Sequence, residues 1–533
     1  MTATATPATR PQPAMRGLAV RQVRRGAVVV TAVCAGMSAL VVVGYRADAL
    51  DPAAVAALAR NPAIRTLFGD PVALDQAGGF TVWRTGTVLA VVLGVWAMLA
   101  ATRITRGEED AGRWGLLLSG RVTLAEAVRH HLGVLAVVPV LVGAATAAAM
   151  IAAGAESTGS VLHGTGLAAV GLFFVAVGGV GAQLFSSRSA ANGAAAAVLV
   201  VGLLMRMVGD GVPAVAWLRW LSPFGLMALT RPFATGRGLP VVVLTCAALL
   251  LLALAGWLAA RRDVGAGILA TADSRPARTA LLGSVPAFAV RRTMRPLAAW
   301  SAGIGAYFLL LGLIARSMTE FLTGNPQFAA MAAQAGFPAL GTVEGYAATM
   351  FTLLAVPVGV FVSVRLAATA ADENARRLTL VLAAPVTRLR LLAAEATIAG
   401  CAALLLITLS GLAMWAGTAI VHAGLGAADA LAGAWNVAPI MVLCLGAGVL
   451  ALGWRPRTVA AVGALPAAGG FVWQVIADSV DAPAWVRALS PFAHLAAVPA
   501  TAPAWPAAAV MAGIAAAGVV AGSIGYRRRD LCA

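Results

Sequence analysis

Long apolar stretches are the feature that most limits what this chain can fold into. They recur from residue 27 almost to the C-terminus. Each runs for about 18 to 22 residues, which is enough to cross a hydrocarbon core of ~30 Å as a helix. Of the 533 residues, 60% are hydrophobic and only 11% are charged, a balance far outside that of soluble proteins. The sequence therefore predicts an all-α polytopic membrane protein.

Landmarks from the first half of the chain return in the same order in the second half. An acid-arginine turn, Asn-Pro, Ser-Pro-Phe and Arg-Asp each occur twice, at 108–113 and 372–377, 61–62 and 325–326, 222–224 and 490–492, and 262–263 and 529–530. The offsets lie between 264 and 268 residues, which indicates an internal duplication. An even number of crossings in each half makes the two repeats parallel. We expect about twelve transmembrane helices, arranged as two parallel six-helix repeats.

This pattern divides the chain into four segments. We predict a cytoplasmic tail with an interfacial helix at 1–26, a six-span half at 27–263, a cytoplasmic linker with a second interfacial helix at 264–297, and a second six-span half at 298–533. Most of the 38 arginines then lie on the cytoplasmic side, as the positive-inside rule requires. Both termini are expected in the cytoplasm of a cell whose plasma membrane holds the protein.

One segment fits this topology poorly. Residues 210–240 carry Arg219, Arg231 and Arg237 on the predicted outer side. Either this segment dips partly back into the membrane, or a span is miscounted. Both alternatives stay open from the sequence.

Several kinds of chemistry are excluded or disfavoured. The chain has no lysine, so it cannot form a phosphate-binding loop of the kind that requires one. Its net charge of +17 follows from basic cytoplasmic loops and does not indicate nucleic-acid binding. Five scattered cysteines without CxxC spacing argue against a disulfide framework or a zinc site. We expect no catalytic, metal or cofactor site in this chain.

The predicted spans offer little to a carrier driven by an ion gradient. Such carriers usually need charged or oxygen-rich coupling sites at the membrane midplane. Glu395 and Arg206 lie near span ends, where we expect them to reach the interface. A pathway lined by small and aliphatic side chains suits a hydrophobic cargo, although the same composition also serves plain helix packing. The substrate-binding residues stay unknown.

The two acid-arginine turns are the candidate functional residues. Glu109 with Arg113, and Glu373 with Arg377, would form i,i+4 pairs on a helix. A solvated helix between two spans explains either turn alone equally well. Two copies in a chain without its own nucleotide chemistry favour docking onto a two-fold soluble partner. The candidate ATPase-coupling residues are Glu108, Glu109, Asp110, Arg113, Asp372, Glu373, Arg376 and Arg377.

At these residues the chain resembles a known family. The second turn, the run Leu-Val-Leu-Ala-Ala-Pro-Val-Thr-Arg at 380–388, and Ser-Pro-Phe in both halves are similar to permease subunits of type-2 ATP-binding-cassette exporters. The chain looks most like the fused, twelve-span actinobacterial exporters of polyketide antibiotics, which include the tetronasin-type permeases. The resemblance covers nearly the whole chain.

The resemblance implies a mechanism with two partners. Elbow helices would lie at 16–25 and 284–295, coupling helices at 108–113 and 372–377, and a partly re-entrant outer segment between the fifth and sixth spans. Two copies of a separate ATPase subunit would hold ATP and magnesium, and the permease would move a hydrophobic or amphiphilic compound outward through the bilayer. Arg121 stands where the second copy has Pro385, so the docking faces are expected to be unequal.

Two other functions remain open. A proton-coupled major-facilitator carrier also has twelve spans, and residues 107–113 superficially match its loop motif. The adjacent aspartate and arginine of that motif are missing here. The other alternative is a membrane scaffold or polymer-processing subunit that transports nothing.

Overall fold

All regular structure in the described part of the chain is helical. The computed structural model describes residues 11–45, 61–269, 279–326, 340–374, 376–378, 381, 383–479 and 482–529. Within these ranges, eleven helices are long and apolar enough to cross a membrane. The prediction of an all-α polytopic membrane protein with roughly twelve spans is confirmed. The helices form two compact units, Met1–Arg275 and Pro276–Ala533.

The first unit is organised around one central helix. Its described helices are α1 Pro11–Val43, α2 Pro62–Phe68, α3 Ala77–Ile104, α4 Arg106–Asp110, α5 Arg113–Leu118, α6 Leu124–Ala152, α7 Ser157–Leu184, α8 Arg188–Gly211, α9 Pro223–Leu229 and α10 Leu239–Ala259. A 3₁₀ helix, Pro213–Leu221, joins α8 to α9. Helix α7 packs against α3, α6 and α10, and two-thirds of its most apolar stretch is buried.

The second unit is built from helices of 4 to 40 residues. Its described helices are α11 Val285–Gly324, α12 Val343–Asn374, α13 Arg388–Ile420, α14 Ala427–Trp435, α15 Ala438–Trp454, α16 Val459–Ala464, α17 Gly470–Ser479, α18 Ala484–Arg487 and α19 Trp505–Arg528. The pairs α11 with α13, and α15 with α19, make the most extensive contacts. Helix α12 lies against α15 and α16.

Glycines set the closest helix crossings. A Cβ atom on Gly143 of α6 would lie 2.2 Å from the carbonyl oxygen of Gly164 on α7. In the second unit, a Cβ on Gly417 of α13 would lie 2.4 Å from the carbonyl oxygen of Leu309 on α11. Small residues let helix backbones approach closely where lipid provides no hydrophobic force between helices.

The apolar run at 459–476 is long enough for a continuous span, but the structure breaks it. Helix α16 is followed by a π-helical turn, Leu465–Gly469, and then by α17. Pro466 lies in this turn and has no backbone N–H to donate. Wider π turns accommodate such an irregularity inside a helix. The run 459–479 still has the length of a span.

The predicted interfacial helices are not separate elements. Residues 16–25 lie within α1, and 285–295 are the first turns of α11. Gly26, between the basic stretch and the first span, lies inside α1 and serves packing, because a Cβ there would lie 2.6 Å from Nε1 of Trp96 on α3.

Ser-Pro-Phe performs the same structural task in both units. The Ser222 hydroxyl donates to the carbonyl of Gly202 at 2.6 Å, and the Ser490 hydroxyl donates to the carbonyl of Gly470 at 3.0 Å. Each serine also caps the turn that follows it. Serine at this position joins a preceding helix to the segment after it, which explains why the motif occurs twice.

Candidate functional site

The first acid-arginine turn consists of two short helices. Helix α4 ends at Asp110, and α5 begins at Arg113. Between them Gly112 adopts a φ of +71°, a left-handed conformation that glycine takes readily and other residues do not. This break ends the helical register, so Arg113 does not face Glu109. The predicted single salt-bridged helix is wrong here.

In each turn, arginine binds the acid five residues earlier. Nε and Nη2 of Arg113 donate to the two carboxylate oxygens of Glu108 at 2.6 and 2.7 Å. In the second turn, Nη1 of Arg377 donates to Asp372 at 3.4 Å. The predicted i,i+4 pairing is therefore wrong in both turns. The hydrogen bonds that Arg113 donates to Glu108 raise the pKa of Arg113 above its ordinary value.

Glu109 points into the protein and has three kinds of partner. Two nitrogens of Arg262 donate to its two oxygens, each at 2.7 Å. The backbone N–H of Gly265 donates at 2.6 Å, and Nη1 of Arg106 lies 3.2 Å away. Only 1% of the Glu109 side chain is exposed. The carboxylate therefore connects α4 to the segment that follows α10.

Glu373 makes the equivalent connection in the second unit. Arg529 donates to one of its carboxylate oxygens, and the hydroxyl of Tyr526 donates to the other. Glu373 lies 264 positions after Glu109, and Arg529 lies 267 positions after Arg262. In both units, the second acid of the turn thus binds the arginine at the end of the last helix. We call these two pairs the turn-to-end ion pairs.

The two turns differ in their other attachments. Asp110 accepts a hydrogen bond of 2.9 Å from the backbone N–H of Arg188, the first residue of α8. In the second unit Arg292, near the start of α11, binds both Asp372 and Glu395. The first turn is therefore fixed to α8, and the second is fixed to α11 and α13.

The remaining candidate residues form the solvent-facing part of the turns. The side chains of Arg113 and Arg377 are 61% and 65% exposed, and Asp110 and Arg376 are exposed as well. Leu116, one turn after Arg113, is 85% exposed. The turns thus divide into inward-facing acids that hold the structure and an outward-facing, mixed-charge surface.

The chain that carries the turn-to-end ion pairs is similar in sequence to known proteins. A family model described as Multidrug efflux system permease Rv1217c, C-terminal domain, matches residues 13–261 and 282–527. The chain belongs to this family. It is also similar to the multidrug efflux system permease protein Rv1217c of Mycobacterium tuberculosis (strain ATCC 25618 / H37Rv), with 30% identity over 500 residues. These cover 90% of this chain and 87% of that protein.

The protein is thus a multi-pass membrane permease of a drug-efflux family. That assignment agrees with the predicted class of transporter, whereas the narrower tetronasin-type group stays a prediction. Within the residues that the structure describes, no group of three histidine, cysteine or acidic side chains is placed to hold a metal ion.

Sequence reasoning about this permease missed the long-range partners. Arg262 and Arg529 had been matched as repeat landmarks, and that match was the available signal that they share a role. Arg106 gave no such signal, because the equivalent position in the second half is Ala370. The partner of Arg106 is visible only in the folded chain.

Two charged residues that were expected to reach the interface are buried in the permease. Glu395 is 3% exposed and binds Arg292, with Arg365 at 3.8 Å. Arg206 is 2% exposed and lies 2.7 Å from Asp210. An ionised side chain in a membrane helix is costly unless it is paired. In both cases an oppositely charged side chain compensates the charge, a role that the sequence predicted for water at the membrane interface.

Proposed function

We propose that this permease is the membrane subunit of an ATP-binding-cassette exporter. Two copies of a separate ATPase subunit bind ATP and magnesium and dock onto the two acid-arginine turns. The permease lies in the plasma membrane with both termini and both turns in the cytoplasm. It moves hydrophobic or amphiphilic compounds outward, and polyketide antibiotics of the tetronasin type are the narrowest substrate class that its sequence favours.

The turn-to-end ion pairs are the observation that supports this proposal most. Each pair lets a force on the turn reach the last helix of the same half, because a buried, charge-assisted hydrogen bond resists separation. A partner with two equal subunits could act on both halves in this way. A turn that served only as a solvated connection would not need a buried anchor in both halves.

The eight candidate residues then divide into three roles. Glu109 and Glu373 anchor the turns. Glu108 and Asp372 orient the arginines that follow them. The exposed residues Asp110, Arg113, Arg376 and Arg377 contact the ATPase.

The proposed energy source is tested by reconstitution. Liposomes containing the permease and its ATPase should accumulate a hydrophobic cationic dye only with ATP and magnesium, and a protonophore should leave the rate unchanged. A proton-coupled carrier would lose transport with the protonophore while ATP is intact. Accumulation of the dye against a gradient by the permease alone would contradict the proposal. If cells show wild-type function of the protein without any transport, the scaffold alternative would be favoured.

The docking surface is tested by reversing charge on its exposed arginines. The double variant Arg113→Glu, Arg377→Glu should lower transport-coupled ATP hydrolysis at least about tenfold, or release the ATPase during purification, because each exchange turns an attractive charge contact into a repulsive one. Membrane insertion should be unchanged, since both side chains are more than half exposed. Arg457→Glu, an exposed arginine outside the turns, is the control and should couple normally.

A further inference from the structure

The first unit has a second group of charged residues at the end opposite its acid-arginine turn. Helix α8 connects the two places, because its first residue contacts Asp110 and its last turn carries Arg206 and Asp210. The helix has 24 residues, which corresponds to about 36 Å at 1.5 Å per residue. In the proposed orientation, the second group therefore lies at the outer face of the membrane.

Two aspartates hold four arginines in this group. Asp70 accepts from Arg65 at 2.8 Å and from Arg219 and Arg231 at 3.3 Å each. Asp210 pairs with Arg206 at 2.7 Å, and Arg219 lies 3.6 Å from it. Counted over these six described residues, the group carries two positive charges in excess. We call it the outer arginine cluster.

A cavity lies against the outer arginine cluster. Its volume is about 70 Å³, several times what one water molecule needs and far below the volume that encloses a drug-sized compound. Its charged lining residues are Asp70, Asp210 and the arginines 206, 219 and 231. Its apolar lining includes Val82, Trp83, Ala90, Phe224 and Met227.

The arrangement around Arg206 is tightly built. Its Nη1 donates to the carbonyl of Leu67 at 3.2 Å. The neighbouring Gly69 has a φ of +91°, and a Cβ there would lie 2.2 Å from Nη2 of Arg206. The loop before α3 therefore packs its backbone directly on a buried guanidinium. The buried Arg206–Asp210 pair is neutral, so the excess positive charge lies on Arg65, Arg219 and Arg231, whose side chains are 17–33% exposed. A bound anion compensates that charge.

We propose that this cavity binds the anionic headgroup of an amphiphile, either a carboxylate or a phosphate. Arginine recognises both groups through its planar set of donors. The headgroup lies in the cavity, and the apolar part of the molecule lies along Val82 and Trp83, which line the cavity and are partly exposed. Two sources supply such a molecule, an exported compound with a carboxylate or an anionic lipid of the bilayer.

The test measures binding to the full-length permease in nanodiscs of phosphatidylcholine. The probe is radiolabelled laurate, and dodecanol is the uncharged competitor of the same chain length. Laurate should bind saturably, its affinity should fall with added salt, and dodecanol should not displace it. Equal binding of dodecanol, or binding that is insensitive to salt, would overturn the proposal.

Variants of one loop locate the binding to the cavity. Arg231→Gln should weaken laurate binding at least about fivefold, because it removes a charged donor from the cavity. The Arg231 side chain is 33% exposed, so the substitution should leave the fold intact. Arg231→Lys should retain most of the affinity. Arg237→Gln makes the same charge change in the same loop at an exposed residue that does not line the cavity, and it should bind like the wild type. Equal affinity in the two glutamine variants contradicts the assignment.

A final binding experiment distinguishes an anionic lipid from an exported carboxylate as the bound molecule. Replacing a fifth of the phosphatidylcholine with phosphatidylglycerol should displace laurate if an anionic lipid occupies the cavity. Unchanged laurate binding assigns the cavity to an exported carboxylate instead, and both results support an anionic site. The assay contains no ATPase, so its outcome does not depend on the proposed energy source.

Discussion

At the scale of single residues, two neighbouring glutamates in one short helix are both buried, but their partners have opposite surroundings. The side chain of Glu108 is 11% exposed and its partner Arg113 is 61% exposed. The side chain of Glu109 is 1% exposed, with Arg106 and Arg262 at 0% and 2%. Removing the Glu108 charge leaves only the solvated Arg113 side chain without its partner, and ion pairs with access to water contribute about 0–1 kcal/mol. Removing one partner of a buried pair costs more, because a charge is left without compensation.

We therefore expect Glu109→Gln to lower the free energy of unfolding by about 3 kcal/mol. The change leaves Arg106 and Arg262 buried with no anion between them. Glu108→Gln, the same substitution one residue earlier, should cost less than about 1 kcal/mol. Thermal unfolding of the purified permease in detergent, followed by tryptophan fluorescence, measures both. Equal shifts in the two variants would mean that the turn-to-end ion pair does not stabilise the fold.

The location of the turns was predictable from the sequence, but their pairing was not. Glu109 and its partner Arg262 are 153 residues apart, and local spacing pointed to Arg113 instead. Only helix continuity supports an i,i+4 pair, and the left-handed Gly112 removes that continuity. In the second turn the equivalent residue, Arg376, also has a positive φ of +56°, and no glycine in the sequence marks that break. The duplication held the missing information, because Arg262 and Arg529 are matched positions.

At the scale of helices, apolar length predicted where the spans lie, whereas their internal breaks depend on packing. A stretch of sufficient length must cross the membrane whatever its neighbours are. The π turn at Leu465–Gly469 and the uninterrupted helix through Gly26 depend on neighbouring side chains and backbone. A glycine within a helix reads in the sequence as a weak point. In this permease, several such glycines are points of closest approach.

Helix α6 contains one glycine at a close helix contact, Gly143, and one with open space around it, Gly133. The second serves as the control for the first. We expect Gly143→Ala to destabilise the permease by about 1–3 kcal/mol, because its Cβ would lie 2.2 Å from a backbone oxygen of α7. Gly133 has no atom within 4 Å of the equivalent position. Gly133→Ala should be neutral or slightly stabilising, since alanine favours the helix over glycine. Melting temperatures from size-exclusion chromatography of heated samples measure the difference. A loss of stability in Gly133→Ala as large as in Gly143→Ala would contradict the packing argument.

At the scale of the whole molecule, two of the duplicated motifs make the same contact in both units. The acid-arginine turn binds the end of the last helix, and Ser-Pro-Phe binds a glycine carbonyl 20 residues earlier. In the first unit, α8 begins at the turn and ends next to the 3₁₀ helix Pro213–Leu221. Since α8 is long and apolar enough to cross a membrane, these two features belong on opposite sides of it.

That arrangement makes the topology testable with single cysteines in a background without native cysteines. Trp217 and Trp485 are matched positions with exposed fractions of 59% and 71%, and Leu116 in the first turn is 85% exposed. Trp217→Cys and Trp485→Cys should react with a membrane-impermeant maleimide in spheroplasts, whereas Leu116→Cys should react only after permeabilisation. Exposure is high at all three positions, so a difference in labelling reports the side of the membrane and not burial. Because the halves are expected to be parallel, labelling of one tryptophan position without the other would show that they are inverted. Labelling of Leu116→Cys in sealed spheroplasts would place the turn outside the cell, where no ATPase could reach it.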